Sequence, residues 1–356
     1  MKIIHHYLLK EIVGNILLVM LALIAMFSFF DLIQELDALG KGNYGLAQVL
    51  LFVLLSAPGH VYEVIPVAVL VGTMLTLGLL SRYSELIILR VSGLSIFNIA
   101  VMLLKISLVF TLITFLIGEM ITPISEKMAQ RMRIKATDSV VAQEFRSGLW
   151  VKDGNTFINA EEVLPDTSLL NLHIYEFDDQ AKLVRTRNAK RAEYSHGKWL
   201  LSDVSETNFS ASAVEVRQYT EVNWQSLIRP ELLNVLLIMP EKMSALNLYS
   251  YIRHLSVNKQ KTTRYEVALW AKMIYPLACI VMVLLALPFG FVQQRASGAS
   301  NKIFLGIMLG VTYQVLNRVS AHLGLLNDWP PLFSAIMPTV LFLIAGLTML
   351  YFVERR

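Results

Sequence analysis

Long apolar runs constrain the fold of this chain more than any other feature of its sequence. Residues 12–30 carry no charge, and further apolar runs occupy residues 46–80, 96–121, 273–292, 303–323 and 332–353. A helix needs about 20 apolar residues to cross the hydrocarbon core of a bilayer. The chain has 55% hydrophobic and only 16% charged residues, well below the roughly 25% charged residues of soluble domains. We therefore expect an α-helical membrane protein with six transmembrane helices.

Two of these runs raise questions of length. Residues 12–30 are too many for the apolar part of a signal peptide and lack a small-residue cleavage site, so the run is predicted to be a retained anchor. Residues 46–80 would make a helix of about 52 Å, too long for one crossing. Pro58 and Gly59 divide this run. The first piece is predicted to be an interfacial or helix-extending segment, and the crossing is expected over residues 63–80.

A polar insert separates three spans from the next three. Residues 122–143 are charged and are expected to continue the third span as a helix. Apolar and polar residues then alternate, most regularly over residues 214–224, which is typical of strands. Short strands separated by turn residues predict an inserted all-β, jelly-roll-like domain. Ser244 is expected to cap a helix that runs to Leu255. The predicted organisation is transmembrane helices 1–3 in residues 1–122, the β domain with flanking helices in residues 123–263, and transmembrane helices 4–6 in residues 264–356.

Lysine and arginine divide unevenly between the two sets of short connections. One set offers Lys41 as its only lysine or arginine. The other set contains Lys2, Lys10, Arg82, Arg90, Arg295, Lys302, Arg355 and Arg356. Because short cytoplasmic loops carry the excess of these residues, both termini are expected in the cytosol. In a Gram-negative cell the insert is then periplasmic.

Motifs for catalysis are missing from the sequence. Gly40, Gly42 and Gly45 match G-x-G-x-x-G, but they follow a membrane helix rather than a strand, so a nucleotide site is rejected. No Walker A, H-E-x-x-H or G-x-S-x-G pattern occurs. Cys279 is the single cysteine and allows no intrachain disulfide. We expect a non-catalytic chain that binds no metal or cofactor of its own and no nucleic acid.

Two features of the fifth span are candidates for packing or binding. Gly306 and Gly310 form a small-xxx-small pattern that lets two helices approach closely in lipid. The partner helix could belong to this chain or to another chain. Arg318 lies about four turns into the span and could contact a substrate, pair internally or extend to the outer interface.

Residues 81–93 form the most specific stretch. Ser84 can cap a short amphipathic helix, Glu85 suits its N-terminus, Arg90 suits its C-terminus, and Gly93 can end it. An apolar face on the cytoplasmic side is typical of docking into a groove on a soluble partner. A helix that lies on the lipid headgroups is the alternative.

These residues resemble the LptF/LptG permeases of the lipopolysaccharide transporter over nearly the whole chain. The resemblance rests on the three-plus-three spans around one insert, the S-E-L-x-x-L-R-x-S-G pattern of residues 84–93, and the Gly-Leu-Trp-Val-Lys-Asp-Gly-Asn of residues 148–155. Gly-Asn-Tyr at residues 42–44 and Trp-Val-Lys-Asp-Gly at residues 150–154 are more similar to the LptG branch than to the LptF branch.

The resemblance implies a permease subunit of an ABC transporter that extracts lipopolysaccharide from the outer leaflet of the inner membrane and passes it to a periplasmic bridge. Its implied partners are an LptF paralogue, two LptB ATPases that bind ATP and Mg²⁺, and LptC. The implied coupling helix lies near residues 82–92 and presents Ser84, Glu85, Leu86, Leu89 and Arg90. The implied substrate-binding residues are Phe27, Phe30, Lys41 and Arg318, and the implied helix-interface residues are Gly306 and Gly310. Family members that place basic residues at the outer end of the first span differ from this chain, which has Asp31 and Asp37 there.

Two other functions remain open from the residues alone. An ion-coupled secondary transporter would need broken helices and paired carboxylates at mid-membrane, and the spans contain prolines but no central carboxylate pair. A membrane-anchored periplasmic binding or assembly protein without transport activity would not copurify with an ATPase.

Overall fold

The computed structural model describes residues 2–85, 88, 91, 96–137, 149–164, 168–195, 198–210, 213–224, 239–291 and 299–354. Before the insert the helices are α1 Lys2–Leu36, α2 Leu46–Arg82, α3 Ile96–Leu116 and α4 Thr122–Thr137, with a π-helical turn Ile117–Ile121 joining α3 to α4. After the strands come α5 Ala245–Val257, α6 Thr263–Ile274, α7 Ala278–Phe291, α8 Ala299–Leu326 and α9 Pro331–Glu354. A 3₁₀ turn Tyr275–Leu277 joins α6 to α7.

Six helical stretches in the described part of the chain are long and apolar enough to cross a membrane. They run over His6–Leu36, Leu46–Arg82, Phe97–Thr137, Thr263–Gly290, Ile303–Leu326 and Pro331–Val353. Three precede the strands and three follow them. The predicted helical continuation beyond the third span is present, and the fourth stretch begins before the predicted residue 273. The predicted fold class, six transmembrane helices with an inserted all-β domain, is confirmed.

Helix α2 is continuous through Pro58 and Pro66, so the expected division at Pro58 is wrong. A proline inside a helix removes one backbone hydrogen bond and usually bends or ends the helix. Packing outweighs this cost here, because 83% of the most apolar stretch of α2 is buried against the rest of the chain. The hydroxyl of Thr122 in α4 also donates a hydrogen bond of 3.3 Å to the Pro58 carbonyl. Residues 46–62 therefore extend the helix, which is the second of the two predicted possibilities.

The described part of the insert contains six antiparallel strands. They are β1 Leu149–Asp153, β2 Thr156–Val163, β3 Leu169–Phe177, β4 Leu183–Ser195, β5 Lys198–Phe209 and β6 Val214–Trp224. Each described strand pairs with the next one along the chain, giving the order β1-β2-β3-β4-β5-β6. The strands are therefore joined as a meander, whereas a jelly roll proper combines two Greek keys.

A crease crosses this sheet from β2 to β6. Along this crease one residue of each strand is skipped in the cross-strand register: Glu161, Asn171, Lys190, Asp203 and Thr220. All five side chains are exposed. In a regular strand, side chains on the same face are an even number of residues apart. Leu201 and Val204 are three residues apart and both buried, so the skipped residue Asp203 shifts the alternation by one position. The regular alternation expected over residues 214–224 is interrupted at Thr220 for the same reason. The crease bends the sheet with its apolar face on the inside.

The inner face of the sheet holds the core of the insert. Leu172 and Ile174 from one side of the crease pack in the same cluster as Trp199, Leu201 and Trp224 from the other side. Trp199 has no exposed surface. At the far end of the same face the core gives way to ion pairs. Arg187 donates to Glu176 and Glu206, at 2.7 Å in each case.

Burial disfavours the charged form of Glu206 in this network. Hydrogen bonds from Arg187 and Asn208, together with the charges of Arg187 and Arg185, outweigh burial and hold the pKa of Glu206 below its ordinary value. The ionised carboxylate is thus part of the folded insert.

Candidate functional site

The end of α1 next to the insert is tied to α2 by a histidine. His60 Nε2 lies 2.5 Å from Asp31 Oδ2, and the ring of His60 stacks on Phe27 with centroids 5.4 Å apart. Phe27, a predicted substrate-binding residue, therefore packs between α1 and α2 of the same chain. Phe30, the second predicted aromatic contact, has half of its surface exposed and is open to a ligand or a neighbouring chain.

A second polar cluster lies one turn further along α1. Glu35 is buried, accepts a hydrogen bond of 2.9 Å from Tyr44 and pairs with Arg133 of α4 at 3.1 Å. Burial, followed by the hydrogen bond to Glu35, raises the pKa of Tyr44. Lys41, the basic residue predicted for this rim, is exposed in the loop between α1 and α2.

The structure therefore adds two basic groups that sequence reasoning missed at this rim. Arg133 arrives from the helix after the third span, and His60 arrives from a segment that was expected to stop near Pro58. In the sequence Arg133 is one of several charged residues in a polar helix. Nothing there indicates that it lies beside Glu35. At this rim Asp31 is hydrogen-bonded to His60, and the nearby Glu35 is paired with Arg133.

Gly306 and Gly310 face α2 of the same chain. A Cβ on Gly310 would lie 2.5 Å from Cγ1 of Val67, and one on Gly306 would lie 3.2 Å from Cγ2 of Val71. Both glycines thus let α8 approach α2 closely. The sequence left open whether the partner helix belongs to this chain or to another chain. In the structure the partner is α2 of the same chain.

Arg318 lies at the mouth of a cavity of about 890 Å³ between α2, α6, α8 and α9. The segment that follows the sheet also contributes, through Glu241 and Lys242. Arg318 is exposed, and it forms no ion pair within the described residues. The structure does not bring it to Phe27, Phe30 or Lys41, which lie at the seam of α1 with α2 and in the following loop.

The segment after α2 begins with a left-handed residue. Ser84 has φ +60°, and its carbonyl accepts a hydrogen bond from the backbone of Ile88, as the first residue of a helical turn does. Glu85 is half-buried and accepts a hydrogen bond of 3.0 Å from the Tyr7 hydroxyl of α1. The other predicted coupling residues, Leu86, Leu89 and Arg90, lie outside the described residues.

Apolar surface is distributed unevenly among the helices. In the described structure only 6% of the apolar stretch of α1 is buried and 22% of the apolar stretches of α8 and of α9, against 83% for α2. Both α1 and α8 pack against α2, on different residues: Gly72 faces Ile16 of α1, and Val67 faces Gly310 of α8. The largely uncovered apolar surfaces of these two neighbours of α2 are available to lipid or to a second chain.

The fold and these surfaces define a class: a multi-pass membrane protein whose apolar and basic surfaces are suited to binding. Comparison with known proteins identifies the family. A family model described as lipopolysaccharide export system permease LptF/LptG matches residues 6–351. The chain belongs to this family of inner-membrane permeases.

Named relatives agree with this assignment. The chain is 30% identical over 340 residues to the lipopolysaccharide export system permease protein LptG of Haemophilus influenzae, covering 95% of both chains. It is also 30% identical over 351 residues to the protein of the same name from Escherichia coli K12, covering 98% of both chains.

Proposed function

We propose that this chain is the permease subunit of an ABC transporter that extracts lipopolysaccharide from the outer leaflet of the inner membrane and passes it to a periplasmic bridge. The observation that carries the proposal is the largely uncovered apolar surface of α1 and α8, which both pack against α2, in a member of this family. The proposed complex contains an LptF paralogue, two LptB ATPases that hydrolyse ATP, and LptC.

An apolar path is what the cargo requires. Exposing one acyl chain of a dozen CH₂ groups to water costs about 10 kcal/mol at ~0.8 kcal/mol per group. The open faces of α1 and α8 carry large apolar side chains such as Phe30, Leu21 and Val311. Paired with the corresponding helices of an LptF-type chain, these faces would enclose a cavity of the kind that acyl chains need.

The insert is proposed as the next stage of the path. Its apolar inner face is filled by its own side chains, with Leu172 and Trp199 fully buried. Acyl chains could enter only if the two halves of the sheet separate along the crease. We assign the crease this opening role, and the energy for it must come from the partner ATPase.

The charges and one contact support the proposed orientation. The distribution of lysine and arginine favours cytoplasmic termini and a periplasmic insert. The Tyr7–Glu85 hydrogen bond joins the start of α1 to the end of α2, on the side of the bundle opposite the insert. This arrangement supports a role for residues 84–90 as the helix that docks into the ATPase.

Carboxylates near the bundle favour a permease over an ion-coupled transporter. Glu119 accepts a hydrogen bond of 2.8 Å from the first backbone N–H of α5. Glu126 pairs with Lys242 at 3.0 Å, and Glu35 pairs with Arg133. Each of the three is thus neutralised by a cation or by a helix N-terminus, whereas an ion-coupled site would need carboxylates that can exchange protons or ions.

Photocrosslinking tests the proposal directly. A photoreactive residue at Val311 of α8 faces the proposed cavity, and one at Val340 of α9 is a matched control because both valines are partly exposed on apolar helices. In the reconstituted complex we expect lipopolysaccharide adducts at Val311 that decrease when ATP is supplied, and few adducts at Val340. Equal capture at the two positions, unaffected by ATP, would refute the transport assignment.

Docking of the ATPase needs a separate experiment. Glu85→Lys and Arg90→Glu reverse the two charges of the proposed coupling helix. We expect each variant to insert in the membrane and to retain less ATPase during purification than the unmodified chain. Normal assembly and transport in both variants would show that the segment has another role.

A further inference from the structure

Helix α5 contacts the bundle at one end and the insert at the other. It follows the sheet in the chain and leads through residues 258–262 into α6, where the fourth span begins. Its 13 residues make a rod of about 20 Å at 1.5 Å per residue. Buried Leu248 packs in one cluster with Ala268 of α6, so the two helices form a hairpin at the end of the bundle nearest the insert. This rod therefore lies between the spans and the sheet.

The N-terminal end of α5 is held by Glu119 of the third span. The first backbone N–H groups of a helix have no partner within that helix. Ser244 accepts a hydrogen bond from one of them, on Asn247. The carboxylate of Glu119 accepts from two more, at 2.8 Å from the nitrogen of Ala245 and 3.4 Å from that of Leu246. A carboxylate also suits the positive end of the helix dipole, so charge and hydrogen bonds both fix the start of α5.

The groups that hold this end of α5 are themselves fixed in the bundle. Glu119 lies in the π-helical turn, a rare geometry that occurs frequently at functional sites. Gly118 of this turn packs on the ring of Tyr62 in α2, where an added Cβ would lie 2.5 Å from Cε2. From the fourth span, buried Lys272 donates to the carbonyl of Met243, two residues before α5. The start of α5 is thus tied to both spans that border the insert.

The C-terminal end of α5 holds the first turn of the sheet. Gly154, between β1 and β2, has φ +60° and donates its backbone N–H to Oδ1 of Asn258 at 3.1 Å. Asn258 directly follows α5, and only 6% of its surface is exposed. Its Nδ2 donates to the carbonyl of His254 in the last turn of α5, at 3.2 Å. One amide therefore binds its own helix through nitrogen and the insert through oxygen.

The contact at Gly154 holds the sheet at a point far from its covalent connection to α5. The chain leaves β6 at Trp224, which pairs with Trp199. These two residues lie at the opposite end of the strands from the β1–β2 turn that contains Gly154. A sheet attached at one end can swing about that attachment, whereas a second attachment at the other end removes the swing. The hydrogen bond to Asn258 is such a second attachment.

We propose that α5 is a strut that fixes the position of the insert over the bundle, with Glu119 and Asn258 as positioning residues at its two ends. A displacement of the outer end of the third or the fourth span then moves α5, and α5 moves the Gly154 end of the sheet. The role of this movement in transport rests on the proposed function, because it would align the insert with the cavity that releases the cargo. The position of the insert does not depend on the cargo.

Spin labels can measure this position in the full chain in lipid nanodiscs. Lys182→Cys places one label in the exposed turn between β3 and β4, at the Gly154 end of the sheet, and Asn327→Cys places the other in the exposed loop after α8. The native Cys279 is fully buried and is not labelled. Pulsed electron paramagnetic resonance then gives the distribution of distances between insert and bundle.

Asn258→Ala removes the acceptor for the Gly154 N–H. The population with a displaced insert should rise about fivefold, since a hydrogen bond of this kind contributes about 1 kcal/mol. Asn247→Ala is the matched control, because Asn247 is an exposed asparagine of the same helix. Its distances should equal those of the unmodified chain. Unchanged distances in Asn258→Ala would overturn the strut.

Asn258→Asp separates the strut from simple capping of α5. Aspartate keeps an oxygen that accepts from Gly154, but it has no N–H for the carbonyl of His254. We expect this variant to restore the distances of the unmodified chain, and we expect transport per ATP hydrolysed in the reconstituted complex to fall in Asn258→Ala and to recover in Asn258→Asp. Displacement of the insert in both variants would mean that the helix cap, and not the tie to the insert, controls its position, which would also overturn the strut.

Glu119→Ala tests the other end of α5. It removes the acceptor for two N–H groups, so the insert should be displaced as in Asn258→Ala, whereas Glu241→Ala changes an exposed carboxylate just before α5 and should have no effect. Equal distances in these two variants would contradict the strut. The distances are measured without lipopolysaccharide, and the proposed function is scored by the adducts at Val311, so the two failures can be told apart.

Discussion

The hydroxyl of Tyr7 donates a hydrogen bond of 3.0 Å to Oε2 of Glu85, so the first turns of α1 are joined to the segment that follows α2. Helix α1 also carries the largest open apolar face among the described spans. A movement of the segment at Glu85 would therefore be transmitted to the helix that we propose contacts the cargo. This link depends on one hydroxyl group.

Tyr7→Phe removes that hydroxyl and leaves the aromatic ring. A single exposed hydrogen bond to a carboxylate contributes about 1 kcal/mol or less, so we expect coupling between ATP hydrolysis and lipopolysaccharide release to fall about twofold to fivefold. The measurement is transport per ATP hydrolysed in the reconstituted complex. Tyr83→Phe is the control, because Tyr83 is an exposed tyrosine beside the same segment. If both variants behave like the unmodified chain, the contact plays no part in coupling.

Gly72→Ala should destabilise the α1–α2 seam. A Cβ at this position would lie 2.6 Å from the Cα of Ile16, and a backbone atom has less freedom to move aside than a side chain. Overpacking of this kind costs about 1–3 kcal/mol. Thermal unfolding of the full chain in detergent, followed by circular dichroism, should show a lower midpoint.

Gly14→Ala is the matched control for this change. Gly14 lies in α1, and a Cβ added there would meet no atom of a neighbouring element within 4 Å. Alanine also favours a helix more than glycine does. The unfolding midpoint of this variant should stay the same or rise. Equal midpoints for the two alanine variants would mean that the helices separate readily at Gly72.

The membrane architecture could be predicted because its signal is local. The length of an apolar run decides whether one helix can cross the bilayer, and no distant residue changes that length. Pro58 shows the limit of local rules, because packing of α2 on its neighbours overrides the helix-breaking tendency of one proline. The spacing of Gly306 and Gly310 revealed a helix contact, but only the structure identifies α2 as the partner.

The polar clusters could not be predicted because their members are far apart in the chain. The pairs Asp31–His60 and Glu35–Arg133 each join two elements whose relative position depends on the packing of the whole bundle. The crease in the sheet is a similar case. Asn171 and Asp203 have residue types that tolerate a left-handed backbone, but nothing in the sequence aligns them across neighbouring strands.

Asn171 is predicted to be intolerant of a β-branched residue. Its φ is +47°, a conformation that asparagine and glycine adopt far more readily than valine. Asn171→Val should lower the stability of the insert by about 1–3 kcal/mol, whereas Asn171→Gly should cost less. Ser205→Val is the control, because Ser205 lies in β5 outside the set of residues with positive φ. Tryptophan fluorescence during thermal unfolding reports the change through Trp199 and Trp224. Similar losses for the valine and glycine variants would mean that the Asn171–Glu161 hydrogen bond, and not the backbone, controls the crease.

The stability of the insert should fall in acid because of Glu206. The folded state holds the pKa of Glu206 below its ordinary value, through Arg187 and Asn208 acting against burial. The stabilisation is therefore complete above the ordinary glutamate pKa and is lost as the pH falls through the lower pKa of the folded state. Glu206→Gln should lower the unfolding midpoint at pH 7, and this difference should shrink as the pH is lowered toward about 3 and the carboxylate becomes protonated in the folded state.

Glu193→Gln separates this effect from the general loss of a charge. Glu193 pairs with Arg191, but about half of each side chain is exposed, and exposed ion pairs contribute about 0–1 kcal/mol. The control should match the unmodified chain at both pH values. Unfolding is followed by the fluorescence of Trp199 and Trp224 in the full chain. If Glu206→Gln lowers the midpoint equally at pH 7 and near pH 3, shape and hydrogen bonding at this position stabilise the sheet, and the charge of Glu206 does not.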